Sequence, residues 1–421
     1  MSTYRVLMLA VLLSSVVGTI VLGTTAGLQS AIRSKARTYY GGDLLILGYT
    51  SAHTSRIDDS EHILDVVSDT ATELDLIQTA VRSSYLQPED ISLFHAGNYF
   101  GQRRIVGVDW PREQSNLQAM HLVSGVIPND ESIKVALIST VTARELNIGV
   151  GDEVVLSILS DRGRINTEDF VISGIFDETS FFGFTTYISR SDLNELREVD
   201  SREVTEIALS LQNPSTTNQS TAARSLTQAM RQENIRVFEP MLDRQRYNEE
   251  VSVERSPREY GVATLAAMTS EIEDLISAIR LIAGGIVVLF LLIIMTGISG
   301  AFKMIVWDRT QEIGTLRAMG MSRSRVAMLF LGEAAILGIV ASTTGLPIGI
   351  ALLGTISATV SMPETNLTSV LLIGGKLPWA LEPRSAAAIV GICTLVAVVG
   401  ATAAALRSAK ISPAQSMRSK S

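Results

Sequence analysis

Val6 to Ile32, VLMLAVLLSSVVGTIVLGTTAGLQSAI, runs for 27 residues without Asp, Glu, Lys or Arg, directly after Arg5. About 20 apolar residues cross a hydrocarbon core ~30 Å thick, and a helix satisfies its own backbone hydrogen bonds there. Three more stretches share this character: Leu281–Phe302, Val326–Pro363 with Glu333 as its one charge, and Ser385–Leu406. The order is one span, a long polar region, then three spans close together. The predicted fold class is therefore a membrane protein with four transmembrane α-helices, one plus three, and a large α+β extracytoplasmic domain between the first and second. Spans are placed at 5–32, 279–304, 326–356 and 385–407, with the domain at 33–278. The alternative for the first stretch is a cleaved signal peptide, with small residues near Thr24–Ala26 as the cleavage site. Its uncharged length exceeds the apolar core of such a peptide. This architecture excludes most soluble-enzyme readings.

The formal charge of −8 conceals two opposite parts. Residues 33–278 hold 22 Lys and Arg against 38 Asp and Glu, a net of −16, and the rest of the chain holds 13 against 5, a net of +8. The short connector between the second and third spans, 305–325 with Lys303 at its edge, carries Arg309, Arg317, Arg323 and Arg325 against Asp308 and Glu312. The tail, 408–421, adds Lys410, Arg418 and Lys420 after Arg407. Short cytoplasmic loops are enriched in Lys and Arg. Both termini and the 305–325 connector are thus expected inside, and the acidic domain and the 357–384 loop outside. Arg33, Lys35 and Arg37, just past the first span, run against this rule, so the connector and tail set the orientation.

Cys393 is the one cysteine and lies inside the fourth span, so no disulfide forms within the chain. His53, His62, His95 and His121 are dispersed along the chain, so no metal site is expected. The chain has no G-x-x-x-x-G-K-[ST] phosphate loop. No cofactor and no nucleic-acid partner is expected for the chain itself.

The polar region reads as mixed α and β, large enough for one or two compact units, with two lobes joined near 120–135. Strands are expected at Asp43–Leu47, Tyr85–Leu86, Ile91–Phe94 and Arg104–Val108. Ile57 to Val81 shows helical spacing. Ser139–Leu146 reads as a helix with Ser139 as N-cap. Glu153–Ile158 and Asp169–Ile175 form a hairpin about Asp161-Arg162-Gly163, with Gly151-Asp152 shaping its entry. Tyr187–Ile188 precedes a helix start at Ser191–Leu196, Ile207–Leu211 alternates as a half-buried strand, and Thr221–Asn234 reads as an amphipathic helix before a strand at Ile235–Phe238. Residues 245–280, with Leu265, Met268, Ile272, Leu275, Ile276 and Ile279, suit one long helix entering the second span; the plainer alternative is a solvated helix that ends the domain. Phe181-Phe182-Gly183-Phe184 is either core or a contact for a hydrophobic partner.

The most specific string is WDRTQEIGTLRAMGMSR, Trp307–Arg323. It starts as a polar helix with Ile313 and Leu316 on one side and Glu312 on the other, and Gly320 is placed to end it. Such a helix is a docking element for a cytoplasmic partner, or a basic loop resting on anionic lipid headgroups. "EIGTLRAMGMSRSRV" followed by "FLGEAAILGIVASTTGLPIGIAL" resembles the FtsX-like permease domain, the membrane half of the MacB-type class of ABC transporters to which the lipoprotein-releasing LolC and LolE proteins belong. "VALISTVTARELNIGVGDEVVLSI…DFVISGIFDE" resembles the extracytoplasmic core domain of that class, and "SAKISPAQSMRS" its usual ending.

The resemblance implies a permease subunit in a bacterial cytoplasmic membrane, both termini inside, that is not itself an enzyme. It implies a cytoplasmic ABC ATPase dimer that uses ATP, a second permease in a homo- or heterodimer, and contact with membrane lipid. The coupling residues carried over are Glu312, Ile313, Gly314, Leu316, Arg317, Ala318 and Gly320. The implied work is moving the extracytoplasmic domain to extract or expel a hydrophobic or lipid-linked substrate, lipoprotein release among the options. The alternative is a signalling permease that regulates an extracytoplasmic partner without transport. The chain departs from the class in lacking the ATPase domain fused to MacB. It also departs from LolC and LolE in the basic stretch before the first span, against which Met1–Tyr4 reads as a shortened or late-assigned start.

Glu333 lies eight residues after Arg325, about 12 Å along a helix, and is expected to serve structure through neighbouring helices ahead of any proton relay. Gly297–Gly300 and Gly345–Gly349 permit close helix contact, within one subunit or between subunits.

Overall fold

The computed structural model describes residues 2–49, 56–87, 89–118, 120–130, 133–177, 184–251, 258–360, 372 and 376–408. Two compact units emerge. The first gathers Met1–Ser30, Leu275–Ser361 and Lys376–Ser421; the second gathers Ala31–Asp274 and Met362–Gly375. Each is taken by itself.

Helices long and apolar enough to cross a membrane are Tyr4–Tyr40 within α1 (Ser2–Tyr40), Ser277–Asp308 within α9 (Ser270–Asp308), α11 (Arg323–Thr359), and Pro383–Leu406 within α12 (Pro383–Ser408), the first unit taking α1 as far as Ser30 and α9 from Leu275. The short α10 (Thr310–Ala318) sits between α9 and α11. Small residues decide the packing. A Cβ at Gly345 would stand 2.7 Å from the Leu12 carbonyl oxygen, and one at Gly349 2.7 Å from Thr19 Cβ, so α11 lies against α1 with no room for a side chain. Ser15 Oγ reinforces the contact by donating to the Ser342 carbonyl at 2.8 Å. The Gly345–Gly349 pair therefore serves packing within one chain. Gly297 and Gly300 meet no atom within 4 Å.

Among the described residues the second unit is built on a 13-stranded mixed sheet that starts at the edge strand β12 (Arg236–Val237), in the order β12-β13-β1-β11-β2-β5-β10-β7-β9-β8-β3-β4, with β6 (Leu122–Gly125) paired to β9. β1 (Leu44–Tyr49) lies between β13 (Glu259–Thr264) and β11 (Glu206–Leu211), antiparallel to both. β2 (Leu76–Tyr85) is shared: its first half pairs β11, and Ser83–Tyr85 pair β5 (Arg104–Val108). β5 runs parallel to β10 (Thr185–Ser189), which adjoins β7 (Val135–Ser139). Then come β9 (Ile165–Phe176), β8 (Glu153–Leu159), β3 (Ile91–His95) and the edge strand β4 (Asn98–Gly101).

One core lies under α2 (Ser60–Thr70) and α6 (Thr216–Gln232), from Ile63 and Val67 to Leu226 and Met230 over Leu44, Ile207 and Val262. Another lies under α4 (Thr140–Leu146) and α5 (Arg190–Arg197), centred on Leu93, Ile138, Leu156, Phe170 and Leu193. Ser139 caps α4 as read from the sequence, its Oγ accepting from Thr142 N at 3.1 Å, and Asn147 closes the helix with φ 54°.

The structure departs from the sequence reading in four places. The lobe junction expected near 120–135 is occupied by β6 (Leu122–Gly125) and β7, which both pair with β9, and the sheet turns from one core to the other inside β2. The helical spacing of Ile57–Val81 stops at Thr70, and Leu76–Val81 belongs to a strand, because apolar runs of that length fit either period. Ile207–Leu211 is fully buried, with sheet neighbours at both edges and helices over it. The long helix expected over 245–280 is instead α7 (Arg244–Val251), then β13, α8 (Leu265–Met268) and α9 from Ser270. Tyr260–Thr264 pairs with β1, while the helical pattern that begins at Leu265 is realised in α8 and α9. Of the aromatic run, Phe181–Gly183 lies outside the described residues, and the Phe184 ring stands 5.0 Å from Phe100 at the edge of the second core.

Candidate functional site

The connector between α9 and α11 is built by local rules. α9 ends at Asp308, with Arg309 N still bonding to the Ile305 carbonyl at 3.1 Å, and Arg309 takes the N-cap position of α10 without a side-chain cap bond. Thr310 Oγ1 turns back to the Val306 and Trp307 carbonyls at 3.1 and 2.7 Å. Gly320 ends the helix at φ 96°, a conformation open to glycine. Gly320 N and Met321 N bond to the Arg317 and Leu316 carbonyls, each at 3.1 Å, and close the last turn. Ser322 then caps α11, its Oγ accepting from Arg325 N at 3.4 Å.

The seven residues carried over from the sequence fall into distinct environments. Ile313, 2% exposed, and Gly314 face inward; Ile313 joins Phe302, Ile305, Val306 and Phe330 in the core of the helix bundle. Leu316 and Arg317 are half-buried, while Glu312, Ala318 and Gly320 are exposed. Thr315 and Met319, which sequence reading passed over, join the exposed side, Met319 at 76%. Their signal was available in the helical period, since Glu312, Thr315 and Met319 recur at spacings of three and four.

Glu333 has defined partners. Tyr4 Oη donates to its Oε1 at 2.8 Å, and Arg309 Nη1 lies 3.5 Å from the same oxygen. The Arg309 guanidinium also sits 5.5 Å from the Tyr4 ring centroid and 3.9 Å from Glu312 Oε2. A carboxylate inside a span is costly unless paired, and here it ties the start of α1 to the residue that opens α10. Tyr4 and Arg309 were not read from the sequence as functional. An intramembrane carboxylate calls for a cation, and the connector supplies a few, Arg309 among them. The tail residues 409–421 and half of the loop 357–384 lie outside the described residues.

Long apolar helices grouped as one plus three, with a mixed-sheet domain after the first and a short helix between the second and third, are the architecture of a multi-span membrane protein. The FtsX-like permease C-terminal domain matches residues 284–413, and the MacB-like periplasmic core domain matches residues 6–228, more than half of the chain. The chain belongs to the FtsX- and MacB-type family of ABC transporter permeases.

Among relatives, it is 25% identical over 163 residues to an uncharacterized ABC transporter permease of Methanocaldococcus jannaschii, covering 38% of each chain. A second uncharacterized permease of that organism is 35% identical over 81 residues, 19% of this chain and 22% of the relative. The chain thus spans well under half the length of these two. It is 22% identical over 314 residues, 70% of this chain and 72% of the relative, to the lipoprotein-releasing system transmembrane protein LolC of Xylella fastidiosa. The extracellular domain of the noncanonic ABC-type transporter YknZ from Gram-positive bacteria aligns with 46% of this chain and 94% of that domain, at 9% identity and a TM-score of 0.32.

Proposed function

We propose that the chain works with a separate cytoplasmic ATPase that docks on α10, and that ATP-driven movement of this helix is passed to the mixed-sheet domain on the opposite side of the membrane. The observation that carries the reading is the two-sided character of α10. Ile313 and Gly314 fasten it to the bundle, while Glu312, Thr315, Ala318 and Met319 are left exposed. The excess of Lys and Arg around 303–325 supports placing this face in the cytoplasm of a bacterial inner membrane, with both termini on the same side. The acidic domain is then extracytoplasmic. The load moved is hydrophobic or lipid-linked, a reading supported by the length shared with a lipoprotein-releasing relative. A second permease, the same or different, completes the assembly.

The test replaces Leu316 and Met319 by Asp, leaving the buried Ile313 and glycine-dependent Gly320 intact. Capture of the tagged chain from membranes should then lose the nucleotide-hydrolysing subunit found with the wild type, with unchanged insertion. Recovery of that subunit at wild-type levels would remove α10 as the docking element. A released lipid or lipoprotein among the captured species supports transport; a stably bound soluble extracytoplasmic enzyme supports regulation instead.

A further inference from the structure

Two buried ion pairs, and a third whose arginine is partly exposed, lie at one corner of the sheet domain, where α1 ends and β1 begins. Arg82 on β2 and Glu113 are both fully buried; Arg82 Nη2 lies 2.6 Å from Glu113 Oε2, and its Nε donates to the same oxygen at 2.7 Å. Arg104 on β5 donates through Nη2 to Glu206 Oε1 at 2.6 Å and through Nε to Ser84 Oγ at 2.7 Å. Each guanidinium keeps one further nitrogen, Nη1, and both donate to the same atom. Arg82 Nη1 and Arg104 Nη1 donate to the Tyr39 carbonyl in the last turn of α1, at 3.3 and 3.0 Å. The Arg104 guanidinium also stacks 4.6 Å from the Tyr39 ring centroid.

Around this point Asn116 Nδ2 donates to the Gly41 carbonyl at 2.8 Å, and Arg37 Nη2 lies 2.9 Å from Asp43 Oδ2. The Asp43 carbonyl accepts from Leu265 N at 2.8 Å, and Leu44 stands opposite Thr264. The strand that follows α1 and the strand that leads to α8 and α9 thus meet side by side at this corner.

The arrangement is more than stability requires. Buried ion pairs contribute little over well-packed apolar residues of the same size. What charged donors add is direction and strength at a particular acceptor, and the end of a helix, with its unpaired carbonyls and negative dipole, is such an acceptor. Two arginines rooted in the middle strands of the sheet converge on one carbonyl of the helix that enters the membrane unit.

We propose that Arg82 and Arg104 are positioning residues that tie the C-terminal end of α1 to the centre of the sheet, so that displacement of α1 during the ATPase cycle reaches β2 and β5. This rests on the function proposed above. Loss of the tie leaves ATP hydrolysis intact and disconnects it from the outer domain.

The experiment uses the full permease, purified with its ATPase and reconstituted in lipid nanodiscs. Hydrogen exchange of β2, β5 and Tyr39–Gly41 is followed with and without ATP and vanadate. The paired replacement Arg82→Met, Glu113→Leu, Arg104→Met and Glu206→Leu removes the tie without stranding a buried charge. Arg104→Lys is the second variant, since one ammonium group replaces a fork that holds Glu206, Ser84 and Tyr39 together. The expected result is hydrolysis within about twofold of wild type, nucleotide-free exchange of the two cores unchanged, and at least a fivefold reduction in the nucleotide-driven change at β2 and β5. Where the fourfold variant does not fold, Arg104→Lys decides by the same readout. Variants that keep both hydrolysis and the full nucleotide-driven change overturn the tie. A wild type that itself shows no nucleotide-driven change in the outer domain overturns the proposed function, and this inference with it. Failure of the α10 variants to release the ATPase is read separately, by capture alone.

Discussion

Replacing Ile313 by Ala should release α10 from the bundle while α9 and α11 stay in place. Ile313 is 2% exposed and shares a core with Phe302, Ile305, Val306 and Phe330. Truncating a buried Ile to Ala costs about 2–5 kcal/mol. α10 has nine residues, and isolated helices shorter than ~12–15 residues are marginal, so docking through Ile313 and Gly314 is what holds it folded. At about 1.4 kcal/mol per tenfold, amide protection of Thr310–Ala318 should fall roughly 30-fold to a few thousand-fold, limited by the unprotected rate. Exchange of α9 and α11 should not change, because their ladders do not depend on this contact.

The assay is hydrogen exchange on the full chain in lipid nanodiscs, read by mass spectrometry. Met319→Ala is the control: an exposed side chain is worth within about ±0.5 kcal/mol, less than a threefold change. Equal effects of the two substitutions would mean that Ile313 does not fasten the helix, and the division of α10 into an anchored and a presented side would fall.

Other outcomes follow from the same geometry. Gly349→Leu should lower the unfolding temperature by the equivalent of about 1–3 kcal/mol of overpacking, since even its Cβ would stand 2.7 Å from Thr19 Cβ; Gly297→Ala, with open space around it, should be silent, and the reverse order in a thermal melt would discard the α1–α11 packing. Tyr4→Phe and Glu333→Met, measured singly and together by denaturation in lipid, should be coupled by about 0.6 kcal/mol and by no more than roughly 2; strict additivity would show that hydroxyl and carboxylate do not meet. Burial pushes the Tyr85 phenol up to about 12 from its ordinary 10.0, and its Oη donates to the Leu159 carbonyl at 2.6 Å. The folded state therefore holds a proton that the unfolded chain loses near pH 10, so this contribution is complete below pH 10 and is lost as pH rises toward 12. Alkaline melts should show a loss over that window that Tyr85→Phe reduces, the remainder coming from other buried tyrosines such as Tyr260, also raised to about 12; an unchanged slope in the variant would assign the loss elsewhere.

How much of this was legible in the sequence depends on the range of the interaction that fixes each feature. Uncharged length alone marks the membrane helices, because hydrocarbon thickness sets a minimum that a sequence can only meet or miss. Caps and turns are equally local: Ser139 sits three residues before the amide it accepts from, and Gly320 announces the end of α10 through its own conformational freedom. The fate of Tyr260–Thr264 is not local. The helical spacing within 245–280 begins only at Leu265, and the segment before it becomes a strand because β1, some two hundred residues earlier, offers an antiparallel edge.

The same limit hides the paired charges. Nothing in the neighbourhood of Arg104 points to Glu206, or near Arg82 to Glu113, yet the sheet brings each pair within 2.6 Å and aims the remaining donors at Tyr39. Glu333 is intermediate: its position inside an apolar span demands a partner, and the connector supplies few cations, but Arg309 over the others is chosen by where α9 ends. Features that a sequence discloses are thus those whose cause lies within a helical turn or in the solvent. The ties that would carry movement through the domain are long-range by their nature, since a joint must connect parts of the chain that are distant from each other.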